Sequence, residues 1–224
     1  MIDRDSIKYA IQYNRILHDS AASGPYKPNG DWDEFTATVN SLLQENLPAN
    51  SLNMTLADVG SGAGKWTALL SSYWEKIESI EPNLGMHQML TRFVNCLRLS
   101  NVELHSLLMP YCLTSIKTDA TILIGSLYLV KDWMTAYKLM LESNQWFAVC
   151  DGPDLISRPF NEAGFNHPEG DVTGRLPFLP GVEWELVQLA EQAGYNVKIY
   201  DLKKLLPNNE TGQDWLIIGD KTHA

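Results

Sequence analysis

The chain has 224 residues, 45% of them hydrophobic and 20% charged, the balance of a globular protein able to bury one substantial core. Seventeen basic residues stand against twenty-seven acidic ones, for a formal net charge of −10. No basic run exceeds Lys203-Lys204, so a surface that tracks phosphates is disfavoured, and nucleic acid with it as a partner.

The three cysteines, Cys96, Cys112 and Cys150, are far apart, show no metal-ligand spacing such as C-x-x-C, and sit among apolar neighbours. They read as buried, reduced thiols, and no metal site is expected. The stretch Met1-Ile2-Asp3-Arg4-Asp5 lacks the basic start and apolar core of a signal peptide. The longest apolar run, Ala120 to Val130, is interrupted by Gly and Ser and is too short to cross a bilayer. No membrane association is expected, and the cytoplasm is the expected compartment.

In chain order, Ile7, Ala10, Ile11 and Leu17 recur on one helical face until Ser20-Ala21-Ala22-Ser23-Gly24-Pro25 breaks the pattern. Asp31 with Glu34 resembles a capping box, and Phe35, Val39, Leu42 and Leu43 form the stripe behind it. From residue 54 strand and helix alternate. Thr55 to Val59 is a strand, and Trp66, Leu69, Leu70 and Tyr73 stripe the helix after it. Lys76 to Ile80 is the second strand, and Met86, Leu90, Phe93 and Leu97 mark the second helix. Val102 to Ser106 is a short third strand, and the nearly all-apolar Thr121 to Gly125 is a central fourth. Trp133, Tyr137, Met140 and Leu141 mark a helix that precedes a fifth strand, Trp146 to Cys150. Such alternation predicts a parallel sheet with helices on both faces.

After Cys150 the rhythm stops. Residues 151–181 hold five prolines and five glycines, and a loop of that length in a compact domain usually serves function or is disordered. Leu186, Leu189, Ala190 and Ala193 then form a helix stopped by Gly194. Val197 to Leu202 and Trp215 to Gly219 are strands six and seven. No repeat or linker divides the chain, so residues 1–224 are expected to form one domain, with 1–50 as a helical cap and 151–181 as an inserted substrate loop or lid.

The densest signal is Leu56-Ala57-Asp58-Val59-Gly60-Ser61-Gly62-Ala63-Gly64-Lys65-Trp66, followed by Ser79-Ile80-Glu81-Pro82-Asn83. Glycine at alternate positions lets backbone approach a ligand, and a carboxylate closing the next strand can grip a ribose diol. A strand-to-helix turn without a ligand also favours glycine, but it does not require Glu81. A phosphate-cradling G-x-x-x-x-G-K-[ST] loop fails, because Val59 replaces its first glycine and Trp66 its hydroxyl residue. A dinucleotide G-x-G-x-x-G fits poorly, because Lys65 stands at its third small position.

The surviving pattern, Asp-x-Gly-x-Gly-x-Gly, resembles motif I of the class I S-adenosylmethionine-dependent methyltransferases. Ile80-Glu81-Pro82-Asn83-Leu84-Gly85-Met86 is similar to the acidic motif after that family's second strand. The resemblance spans roughly residues 50–150 and the remainder by order of elements. It implies an α/β fold: a doubly wound, mostly parallel seven-stranded sheet with a C-terminal antiparallel strand pair. It also implies that Gly60, Gly62 and Gly64, with Ser61, line the methionine part of the cofactor. Asp58 would orient the loop and the cofactor's amino group, and Glu81, followed by Pro82, would accept hydrogen bonds from the ribose hydroxyls. Leu108 and Met109 fall where the family packs adenine, though no Asp is present there for the exocyclic amine. Ser126 and Tyr128 fall where its cofactor and substrate meet; Tyr26, in Gly24-Pro25-Tyr26-Lys27-Pro28, reads either as a cover over the cofactor or as a packing aromatic.

Methyl transfer from a sulfonium is an in-line displacement, so positioning and water exclusion carry much of it. A general base is needed only for a protonated nucleophile. The candidates are Asp151 at the end of strand five, His167 in the proline-rich segment, Tyr128 and His18. Three of them have a plainer role available: Asp151 as a turn cap, His167 as a solvated loop residue, and His18 as a partner of a helix C-terminus. The expected activity is methyl transfer to nitrogen or oxygen of a small-molecule acceptor. Two alternatives stand beside it, a peptide or protein acceptor and a non-catalytic partner that keeps the fold. The sequence leaves the oligomeric state open.

Overall fold

The computed structural model describes residues 32–127, 133–152, 181–208 and 213–221. Seven strands form one sheet: β1 (Thr55–Val59), β2 (Lys76–Ile80), β3 (Val102–His105), β4 (Ala120–Ile124), β5 (Trp146–Asp151), β6 (Asn196–Asp201) and β7 (Trp215–Asp220). Their order is β3-β2-β1-β4-β5-β7-β6. Neighbours from β3 to β5 run parallel, whereas β7 runs antiparallel to both β5 and β6. The doubly wound architecture and its closing antiparallel pair are therefore as the sequence implied. Strand order reverses between β1 and β4, and ligands of open α/β sheets bind beyond the carboxyl ends at such a switch point.

The helices are α1 (Trp32–Glu45), α2 (Lys65–Leu70), α3 (Leu84–Leu97), α4 (Tyr111–Ser115), α5 (Trp133–Ser143), α6 (Val182–Gln192) and α7 (Leu202–Leu205). Strand alternation divides the core in two. Ala57, Val59, Ile80, Leu123, Phe147, Val149 and Ile217 meet Tyr137 and Met140 of α5 and Leu186 and Ala190 of α6. Their sequence neighbours Leu56, Ile122, Ala148, Leu216 and Ile218 meet Phe35, Val39 and Leu43 of α1 and Trp66 and Leu69 of α2 on the other face. Each such large side chain, fully buried, contributes on the order of 1.5–3 kcal/mol. Central β5 is buried at every position, which suits a strand covered on both faces.

Local rules explain most boundaries. Asn83 caps α3, its Oδ1 accepting the Met86 amide at 3.1 Å. Gly194, at φ +87°, follows α6 in the left-handed region where a side chain is costly. Gly219 sits mid-strand because the Phe147 ring of the facing strand packs where a Cβ would be. Phe147 in turn meets Tyr137 and Tyr195 edge-on, with ring centroids 5.8 and 5.0 Å apart.

Three expectations need correction. Cys96 is exposed, not buried, because it lies with Asn95 and Arg98 on the solvent side of α3, while Cys112 and Cys150 are buried. The sixth strand ends at Asp201, and Leu202 opens α7 instead, with the Asp201 side chain accepting the Lys204 amide at 3.1 Å. Tyr73 lies beyond the end of α2 and is half-buried, because the helix closes at Leu70. The first amphipathic stripe, the Asp31 cap and most of the 151–181 segment lie outside the described residues.

Candidate functional site

The glycine loop leaves β1 at the switch point. Gly60, Gly62 and Gly64 all have positive φ, at +74°, +57° and +94°. Two of them are also closed to side chains by close approach. A Cβ on Gly60 would stand 2.5 Å from Ser126 Cβ, and one on Gly64 would stand 2.7 Å from Leu90 Cδ1. Gly62 differs, since a Cβ there would meet nothing within 4 Å. The loop is held from behind: Gly60 and Ser61 donate their amides to Ile80 O at 2.9 and 3.1 Å.

Glu81 faces this loop. The Gly62 amide donates to Glu81 Oε2 at 2.9 Å, and the Asn83 amide donates to Oε1 at 2.8 Å. The residue is only 7% exposed, and burial pushes its carboxyl upward while the two amides pull it back. Each oxygen thus carries one N–H, and a carboxylate can accept about four hydrogen bonds, so capacity for two hydroxyl donors remains.

Asp58 lies beneath the loop. Its Oδ2 accepts the Thr67 hydroxyl at 2.5 Å, and Thr67 Oγ1 is 2.8 Å from Ser79 Oγ. Burial raises the Asp58 carboxyl to about 7, with the Thr67 bond opposing and the charge of Glu81 adding to the rise. Across the switch point, buried Ser126 donates its hydroxyl to Val59 O at 2.8 Å, tying the end of β4 to the end of β1.

Beyond β3, Leu108 and Met109 are half-buried, as is Pro82 beyond β2, and Met109 packs against the first core cluster. Asp151 closes β5 fully buried, its Oδ1 accepting the Gly152 amide at 3.1 Å. His18, Tyr26, Tyr128 and His167 lie outside the described residues.

Sequence reasoning overlooked four residues here. Thr67 and Ser79 carry the buried network around Asp58, and a threonine on the buried side of an apolar stripe was the available signal. His87, one turn into α3, has a buried Nδ1 without a hydrogen-bond partner, and its charge draws the Glu81 carboxyl down. Gln213 is the fourth. Because β7 is antiparallel, its start lies at the carboxyl edge beside Asp151, and buried Gln213 packs its amide against Gly125 just past β4.

A second polar cluster lies on the sheet between β2 and β3. Lys76 Nζ bridges Glu78 Oε1 and Glu103 Oε2 at 2.6 and 2.7 Å, and His105 Nε2 is 2.6 Å from Glu78 Oε2. The two carboxylates hold Lys76 protonated up to about 12, so these groups satisfy one another.

The strand order, the glycine loop at the switch point and the acid at the end of β2 define the class I methyltransferase fold. No protein-family model and no curated protein matches the chain. Solved structures do. A precorrin-6y C5,15-methyltransferase from Geobacter metallireducens aligns at 14% identity and TM-score 0.59, covering 89% of this chain and 93% of that one. The methyltransferase domain of a bacterial CtHen1 aligns at 19% identity and TM-score 0.55, covering 82% and 96%. The [4+2]-cyclase SpnF aligns at 14% identity and TM-score 0.61, covering 96% of each chain. These likenesses establish the fold; the last belongs to a protein named for a different reaction.

The residues present fit an adenosyl cofactor. Among the described residues nothing stands within 4 Å of a Cβ on Gly62, and Ser61 Oγ, beside it in the loop, is buried without a hydrogen-bond partner. Glu81 is buried and does not turn out to solvent.

Proposed function

We propose that the protein binds S-adenosylmethionine and transfers its methyl group to nitrogen or oxygen of a small molecule. One observation carries the reading: Glu81, buried and bonded to the Gly62 amide, stands beside a loop whose middle glycine faces open space. When bound, the cofactor supplies a methyl carbon already activated by the sulfonium charge.

The chain's own part is to bind and orient. Glu81 accepts the ribose hydroxyls, Gly60, Ser61, Gly62 and Gly64 pass along the methionine portion, and Asp58 sets the loop from beneath. Pro82, Leu108 and Met109 flank the base, Tyr26 covers the cofactor, and Ser126 fixes the β1 and β4 ends relative to each other. Asp151, Tyr128, His167 and His18 are the groups proposed to take a proton from an acceptor that arrives protonated. Positioning a nucleophile about 3 Å from the methyl carbon accounts for much of the rate, with water excluded. The acidic balance of the chain favours a small-molecule acceptor over nucleic acid, and the cytoplasm is the proposed compartment. Among the described residues no helix is long and apolar enough to cross a membrane.

Calorimetric titration with S-adenosylmethionine and S-adenosylhomocysteine tests the binding. Absence of binding by the wild type, or undiminished binding by Glu81→Ala, would sink the proposal. Methyl-transfer assays on small amines and phenols against peptide pools separate a small-molecule acceptor from a peptide. The alignment with a [4+2]-cyclase over 96% of both chains favours a second reading, in which the fold retains its cofactor site without methyl transfer. Cofactor that binds tightly yet is never converted to S-adenosylhomocysteine with any acceptor would support that second reading.

A further inference from the structure

Resting on the cofactor reading above, we infer that His87 is a positioning residue of the site: from α3 it holds the Glu81 carboxylate as the charged acceptor of the ligand's hydroxyls. The chain leads directly from one residue to the other. Glu81 Oε1 accepts the Asn83 amide at 2.8 Å, and Asn83 O accepts the His87 amide at 2.8 Å. Asn83 also caps α3 through its Oδ1, so His87 starts from a backbone pinned to the Glu81 carboxylate. Residues three apart share a helix face, and Leu90, one turn on, lies against Gly64, where a Cβ would stand 2.7 Å from its Cδ1. His87 therefore sits on the side of α3 that is turned to the glycine loop.

Packing alone gives no reason for a polar ring here. His87 is half-buried, and its Nδ1 is closed to water with no hydrogen-bond partner among the described residues. Such an atom costs stability that an apolar side chain would not. What the ring does is electrical: when protonated, it draws the Glu81 carboxyl down, against the upward push of burial. The other charged groups nearby do not take this part. Asp58, from β1, has the same sign as Glu81 and is repelled by it. From β3 the His105 ring is turned to Glu78, at 2.6 Å, and Lys65, at the start of α2, reaches Thr36 of α1 at 3.2 Å.

A bound ligand makes that charge matter. A carboxylate accepts hydrogen bonds at both oxygens, whereas a protonated carboxyl loses acceptor capacity and becomes a donor. Glu81 already uses one site on each oxygen for the Gly62 and Asn83 amides, so two ribose hydroxyls need it ionised. Seating the ribose strips water from a group already only 7% exposed, which favours the neutral form further. A cation held beside the carboxylate opposes that change.

The experiment titrates S-adenosylhomocysteine by calorimetry into the wild type, His87→Gln and His87→Arg at about pH 5.5 and about pH 8. His87→Gln, polar but uncharged, should bind about three- to tenfold more weakly than the wild type at the lower pH, where an imidazole is charged. At the higher pH, where an imidazole is neutral, the two should agree within about twofold. His87→Arg should keep its affinity at both. In a Glu81→Gln background, His87→Gln should have no pH-dependent effect, since no carboxylate remains to be held. Asp58 titrates in every one of these proteins and drops out of the ratios. A loss in folded His87→Gln that is the same at both pH values, or no loss at either, would overturn the inference and leave the cofactor reading intact. A pH-dependent loss that persists without the Glu81 carboxylate would overturn it as well, by showing that His87 acts on the ligand directly. Failure of the wild type to bind at either pH would remove the cofactor reading, and the inference with it.

Discussion

The carboxylate of Glu81 and the backbone amide of Gly62 are joined by a 2.9 Å hydrogen bond across nineteen residues of sequence. That bond fixes the loop after β1 to the strand end of β2, so one side chain shapes the loop and, on the proposed reading, faces the ribose. Glu81→Ala removes the acceptor for Gly62 and Asn83 together. The expected loss is about 1.5–3 kcal/mol of binding, or roughly ten- to a hundredfold in S-adenosylhomocysteine affinity by calorimetry. Glu81→Gln should fall between it and wild type, since the amide keeps one acceptor oxygen but loses the charge.

The three loop glycines should separate stability from binding. All carry the left-handed conformation, which costs an alanine about 1–2 kcal/mol. Gly60→Ala and Gly64→Ala add crowding against Ser126 and Leu90, roughly 1–3 kcal/mol more, and should melt well below wild type. Gly62→Ala meets no atom of the described residues within 4 Å, so its melting temperature should fall least while its ligand affinity falls most. Equal melting temperatures for the three variants would contradict this account.

Asp58 sets a pH dependence. Its carboxyl is raised from 3.8 to about 7 in the folded protein, chiefly by burial. Between those limits the native state binds more protons than the unfolded chain, so stability contributed by this group falls as pH rises. The slope approaches about 1.4 kcal/mol per pH unit within that window. Asp58→Asn, which resembles the protonated acid, should flatten the dependence of melting temperature on pH between about 4 and 7.

Thiol accessibility checks the corrected assignment of the cysteines. In the folded protein an aromatic disulfide reagent should titrate Cys96 rapidly and spare buried Cys112 and Cys150. Burial also raises Cys112 to about 11 and pushes the Cys150 thiol well above its ordinary range, so both stay in the less reactive thiol form. Denaturant should release all three.

Ser126→Ala should cost roughly 1 kcal/mol of stability from the lost bond to Val59 O, read by chemical denaturation. A larger side chain there should cost more, since Gly60 leaves no room for it.

Much of this architecture was legible because the physics is local. Alternation of apolar residues fixed which side of each strand is buried, and the two core clusters divide as that alternation requires. Glu81 could be read because strand, carboxylate and Asn83 cap are adjacent in sequence. Helices α4 and α7, of five and four residues, were missed because neither is long enough to display helical periodicity. Gln213 carries no such signal for a topological reason: an antiparallel strand brings its start, not its carboxyl end, to that edge. The pairing of Thr67 with Asp58 depends on where α2 sits over β1, which spacing alone does not specify.

The placement of β7 between β5 and β6, although it follows both in the chain, has a consequence for assembly. Until residues 215–220 dock, β5 presents a bare hydrogen-bonding edge and β6 has no strand partner. Gln213 cannot reach Gly125 before then, so a half-assembled sheet lacks one wall of its ligand edge. Pairing of the β5 edge and seating of Gln213 against Gly125 are therefore a single event.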